Sequence, residues 1–74
     1  MLFRVNTELI KTTAAQAPYG HATVREIAAH TKVSKSVVDR VLRGGKTSLE
    51  NLGLIAEAYE LDLNDCLIKQ SVAA

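Results

Sequence analysis

Cysteine occurs once in these 74 residues, as Cys66, so neither an internal disulfide nor a multi-thiolate metal site is open to the chain. Aromatic residues number three, Phe3, Tyr19 and Tyr59, with no Trp, which leaves the core to Val, Leu, Ile and Ala. No apolar run approaches the roughly 20 residues of a membrane span, and the N-terminus lacks a signal-peptide layout. Repeats, low-complexity tracts and linkers are also missing. These absences read as one small cytoplasmic domain, residues 1–74, with no membrane contact. Its length lies near the lower limit at which a single core supports folding alone, so a partner chain is a plausible aid.

Catalytic constellations are equally scarce. His21 and His30 stand nine residues apart on different expected elements and offer no zinc set. Cys66 sits in an apolar stripe and reads as a buried small residue rather than a nucleophile. The stretch "RGGK" lacks the spacing and strand context of a phosphate-cradling loop. The chain therefore reads as a non-enzyme, with no cofactor, no metal and no small-molecule substrate.

Net charge is only +1, but the charges are segregated. Residues 32–46 carry five cations (Lys32, Lys35, Arg40, Arg43, Lys46) against one acid, Asp39. Residues 47–68 carry five acids (Glu50, Glu57, Glu60, Asp62, Asp65) and no Lys or Arg. A positive patch attracts phosphate whatever the total charge.

Periodicity and capping residues spell an all-α chain of five helices. Asn6 or Thr7 caps a first helix running to about Ala17, where Pro18 and Gly20 stop it. "TVRE", Thr23 to Glu26, is a capping box that opens a second helix, about 23–31, with Ile27 and Ala28 inward. After three residues Ser34 caps a third helix, about 34–43, ended by Gly44. Thr47 with Glu50 makes a second capping box for a fourth helix whose apolar stripe is Leu49, Leu52, Ile55, Ala56 and Tyr59. Asp62 starts a fifth, carrying Leu63, Cys66, Leu67 and Ile68. "MLFRV" at the N-terminus reads as a short strand, a helical extension or an apolar arm. As a strand it finds no partner in the sequence, and a ribbon formed across a dimer would supply one.

The third helix divides sharply. Val38, Val41 and Leu42 recur at core spacing, whereas Lys35, Ser36, Asp39, Arg40 and Arg43 fall on the other side. Two short helices joined by a three-residue turn make a helix-turn-helix, whose second helix rests its apolar side on a scaffold and enters a DNA major groove with its polar side. The stretch "TVREIAAHTKVSKSVVDRVLRGGKTSLENLGLIAEAYELDL", residues 23–63, resembles the lambda-repressor and Cro-like helix-turn-helix regulators. The likeness is carried by Ala28 at the helix contact, Val33 in the turn, Ser34 as cap, Val38 and Val41 as buried residues, Gly44, and the "SLENLGLIAEAYEL" helix that follows. Two positions depart from the pattern. Lys32 stands where glycine is usual and must take a costly positive φ or bend differently, and Val24 replaces a glutamine that often contacts DNA.

The resemblance implies a lambda-repressor-like domain acting as a sequence-specific, double-stranded-DNA-binding transcriptional repressor, of the phage Cro type. Such proteins bind palindromic operators as homodimers, with half-sites about one helical turn, roughly 34 Å, apart. It assigns base contacts to Lys35, Ser36 and Arg40, residue types whose donors suit base edges. Asp39 either accepts from cytosine or braces Arg43 at i,i+4 spacing. Phosphate contacts fall to Arg43, Lys46, Thr47 and Ser48 around the start of helix four, to Ser34 at the start of helix three and to Thr23 and Arg25 at helix two, the two threonines being equally readable as simple caps. Leu2, Phe3, Val5, Leu67, Ile68 and Val72 are candidates for the dimer contact or for the core. With no second domain following, a self-cleaving oligomerisation module is not expected. Two rivals share the motif: an antitoxin-type regulator gripping a toxin, and a helix-turn-helix used only for protein contact.

Overall fold

A computed structural model of the chain describes residues 2–68. Five helices and one two-stranded antiparallel ribbon make up a small, mostly helical domain. In chain order these are β1 (Leu2–Phe3), α1 (Thr7–Ala15), α2 (Val24–Thr31), α3 (Lys35–Leu42), β2 (Thr47–Ser48), α4 (Leu49–Ala58) and α5 (Leu63–Cys66). No helix among the described residues is long and apolar enough to cross a membrane.

Each helix start is explained by a side-chain oxygen that accepts an otherwise free backbone N–H. Asn6 accepts from Leu9 N–H at 3.3 Å and caps α1. The Thr23–Glu26 capping box is formed in both directions, and the Glu26 carboxylate also accepts from Ala22 N–H at 3.0 Å. These backbone bonds hold the Glu26 carboxyl below its ordinary range. Ser34 caps α3 through Val37 N–H.

The expected boundaries shift at three places. Helix α1 stops at Ala15, not Ala17, because Ala17 precedes Pro18 and a residue in that position is pushed out of helical conformation. The cap of α4 is Ser48, accepting from Asn51 N–H at 3.2 Å, rather than Thr47. Thr47 is drawn inward as part of β2 and is 2% exposed. Leu49 thereby becomes the first residue of α4 and is 43% exposed, leaving the buried stripe to Leu52, Ile55, Ala56 and the capping Tyr59. Helix α5 ends at Cys66, so Leu67 and Ile68 are extended, not helical.

The N-terminal segment is a strand, and its partner lies within the same chain. Leu2 faces Ser48 and Phe3 faces Thr47, while Val5 forms an antiparallel bridge with Leu67. Further bonds run from Asn6 N–H to the Cys66 carbonyl at 2.7 Å and from Ile68 N–H to the Arg4 carbonyl at 3.1 Å. A ribbon across a dimer is therefore not needed to satisfy β1. One core joins Val5, Ile10, Ala14, Ile27, Ala28, Val33, Val38, Val41, Leu52, Ile55, Ala56, Tyr59 and Cys66.

Candidate nucleic-acid interface

Helices α2 and α3 meet through three intervening residues, Lys32, Val33 and Ser34. Lys32 adopts the left-handed conformation, φ 62°, with its N–H donating to the Ala28 carbonyl at 2.8 Å. Of the two outcomes open to this departure from glycine, the chain takes the strained one. What holds it is Thr31, buried at 3% exposure, whose hydroxyl donates to the Ile27 carbonyl at 2.8 Å and accepts from Val33 N–H at 3.3 Å. Val33 is buried beside it.

Val38 and Val41, each 1% exposed, fix α3 to the core, an anchorage of roughly 1.5–3 kcal/mol per side chain. A second tie comes from α1, where the Thr7 hydroxyl donates to the Val41 carbonyl at 2.7 Å. Beyond α3, Gly44 takes φ 85° as the expected stop. Gly45 has a separate role. A Cβ at that position would lie 2.5 Å from Arg40 Cγ and 2.9 Å from the Arg40 carbonyl oxygen, so the stem of Arg40 rests directly on glycine backbone.

This anchoring leaves Lys35, Ser36 and Arg40 exposed on one helix. Asp39 is half-buried and accepts from Arg43 Nε at 3.1 Å, the bracing geometry. With the side chains 78% (Arg43) and 45% (Asp39) exposed, such a pair contributes about 0–1 kcal/mol and leaves the Arg43 cation in solvent. Lys32, Lys35, Arg40, Arg43 and Lys46 are all exposed, and so are Glu50, Glu57, Glu60, Asp62 and Asp65. Charge segregation along the chain thus becomes charge on the surface.

The phosphate candidates divide. Arg25, Ser34, Arg43 and Lys46 are exposed, and Ser48 is half-buried as the α4 cap. Thr47 is buried, with its hydroxyl accepting from Asn51 Nδ2 at 3.4 Å, and is withdrawn from the surface. Thr23 is exposed, but its N–H and hydroxyl are both engaged by the Glu26 carboxylate, so that helix start already holds an anion of its own.

The dimer candidates also separate. Val5 is 3% exposed and belongs to the core. Phe3 and Leu67 are half-buried, Leu67 packing on the core, while Leu2 and Ile68 are 56% and 43% exposed. Val72 lies outside the described residues.

One grouping has no counterpart in the sequence pattern. Tyr19, His21, His30 and Tyr59 gather their rings, with centroids 4.8 Å apart for Tyr19–Tyr59 and for His30–Tyr59 and 5.0 Å for His21–His30. His21 Nδ1 is 2.8 Å from the Tyr59 hydroxyl, and His30 Nε2 is 2.7 Å from the Ala58 carbonyl oxygen. The two histidines expected on unrelated elements thus meet, clamping the loop after α1 and the end of α2 onto the end of α4. No three metal-ligating side chains gather among the described residues.

No protein-family model, no curated protein and no solved structure matches this chain.

Proposed function

We propose that this chain is a Cro-type transcriptional repressor, a lambda-repressor-like helix-turn-helix domain that binds a palindromic operator in double-stranded DNA as a homodimer. In this reading α2, the Lys32–Ser34 turn and α3 are the helix-turn-helix, and α3 enters the major groove. The observation that carries it is the two-sidedness of α3: Val38 and Val41 are sealed in the core while Lys35, Ser36 and Arg40 stand exposed together. Arg40 donates to guanine O6 and N7, Lys35 to the same kind of acceptor, and Ser36 donates or accepts. Asp39 orients Arg43, which with Arg25, Ser34, Lys46 and Ser48 meets phosphate oxygens. No chemical step is required, and the site acts by occupying the operator.

Selection from a random duplex library at near-physiological salt tests the reading, with Arg40→Ala and Lys46→Ala beside the parent. The parent is expected to return a palindromic motif. Arg40→Ala relaxes preference at one position in each half-site by about 1–3 kcal/mol, whereas Lys46→Ala weakens all sequences alike and lowers the salt slope by about one. Recovery of no motif, with binding insensitive to salt, would transfer the exposed α3 surface to a protein partner, the antitoxin-type or protein-contact alternative.

A further inference from the structure

Two glycines follow α3, and only one of them is needed for its backbone. Gly44 takes φ 85°, the left-handed conformation in which other residues are strained. Gly45 is not among the positive-φ residues, so its backbone asks for no glycine. What excludes a side chain there is space. A Cβ at position 45 would lie 2.5 Å from Arg40 Cγ, 2.9 Å from the Arg40 carbonyl oxygen and 3.4 Å from Arg40 Cδ. All three atoms belong to one residue, the arginine read above as the guanine contact.

The close approach is built by the end of the helix. Gly45 N–H donates to the Arg40 carbonyl at 2.8 Å and Gly44 N–H to the Val41 carbonyl at 3.1 Å, the bond pair that closes a helix through a left-handed glycine. In such an ending the residue in the place of Gly45 commonly packs its side chain on the one in the place of Arg40. Here that contact is inverted, and the Arg40 stem lies on bare backbone. Gly45 is accordingly half-buried, while Gly44 and Lys46 on either side of it are exposed. The neighbouring arginine is held differently, since Arg43 is braced by Asp39 at 3.1 Å. Arg40 has no side-chain hydrogen bond or ion pair among the described residues, so packing on Gly45 is what restrains its stem.

We propose that Gly45 is a positioning residue for base readout: by leaving room for the Arg40 stem against its backbone, it sets the path along which the guanidinium reaches a base edge. A long side chain loses rotamer freedom when it is fixed in a groove, and a stem already packed in the free protein has less to lose. A two-point contact with guanine also depends on where the planar head is aimed. An alanine at 45 evicts Cγ and Cδ, and the head must then start from elsewhere. The inference rests on the groove reading proposed above, and its test separates the two.

The test compares the parent, Gly45→Ala, Arg40→Ala and the double variant. Without DNA, proton NMR of the parent is expected to show NOEs from Gly45 Hα to Arg40 Hγ and Hδ, and Gly45→Ala to change the side-chain couplings of Arg40. In duplex selection, Gly45→Ala lowers discrimination by about three- to tenfold at the half-site position that Arg40→Ala also affects, and leaves the other positions as in the parent. The double variant matches Arg40→Ala, because no stem remains to be displaced. A purely structural role gives a different pattern: strain against the Arg40 carbonyl oxygen persists without the stem and weakens all sequences alike in both backgrounds. Missing parent NOEs, a Gly45→Ala chain that fails to fold, an even loss at all positions, an added loss in the double variant, or an unchanged motif would each overturn the assignment. A parent that keeps the NOEs but returns no motif removes the groove reading and the positioning role with it, whereas a parent motif indifferent to Gly45 removes this inference alone.

Discussion

Lys32 holds φ at 62° in the turn that joins α2 to α3, a conformation that costs a non-glycine residue about 1–2 kcal/mol. Thr31 and Val33, both buried, over-determine the turn and keep Lys32 there. Lys32→Gly relieves the strain and is expected to raise unfolding free energy by about 1 kcal/mol, the greater freedom of glycine in the unfolded chain offsetting part of the gain. Urea titration of the two proteins measures it, and an unchanged or lower midpoint would mean that the turn carries no strain. The sequence exposed the conflict by showing a lysine where the motif wants glycine, but not its resolution. The choice between strain and a different bend goes with the burial of Thr31 and Val33 on either side, which only the folded chain provides. Gly45 is similar, because its necessity comes from the Arg40 backbone and stem beside it.

Helix boundaries are largely a matter of capping, and here the sequence was readable to within a residue or two. Asn6, Thr23 and Ser34 cap the helices expected of them, because a cap bond closes within three residues and needs no distant partner. The fourth helix is the instructive exception. Thr47 and Ser48 are both competent caps, and the choice is made by the pairing of Thr47 with Phe3. Ser48→Ala is therefore expected to destabilise the protein by about 1 kcal/mol through loss of the cap. Thr47→Val, similar in shape at a buried position and giving up one long hydrogen bond from Asn51, should cost clearly less. Thermal unfolding of both variants decides the matter, and a larger loss at Thr47 would return the cap to that residue. The same reasoning explains α5, where Leu67 and Ile68 continue an apolar pattern but leave the helix to meet Val5 and Arg4.

At the scale of the whole molecule, the Tyr59 clamp couples stability to pH. Burial, with the neighbouring Tyr19 and Glu26 charges adding, pushes the Tyr59 hydroxyl up to about 12. In the unfolded chain the same hydroxyl loses its proton near pH 10. Between these values the unfolded state has released a proton that the folded state still holds, so stability falls as pH rises from about 10 to about 12 and is intact below that window. The loss amounts to about 2 kcal/mol at the upper end. Urea unfolding at pH 8, 10 and 11 is expected to show the decline, and Tyr59→Phe should remove much of it while lowering stability at pH 8 through loss of the His21 bond. A decline of the same size in the Phe variant would assign it to other groups.

By itself the sequence determined where all the helices but the fourth begin, which side of α3 is apolar, and that cations and acids occupy separate stretches of chain. Each is local: capping bonds and helical faces repeat within four residues, and charge order along the chain needs no fold. Only the tertiary structure decided that β1 finds its partner at Thr47–Ser48, that Val5 and Thr47 are interior, and that four rings from Tyr19 to Tyr59 gather in one cluster. Those contacts join residues such as His21 and Tyr59, 38 positions apart. No local preference encodes such a pairing; it is selected by which arrangement buries the apolar side chains of all the segments together.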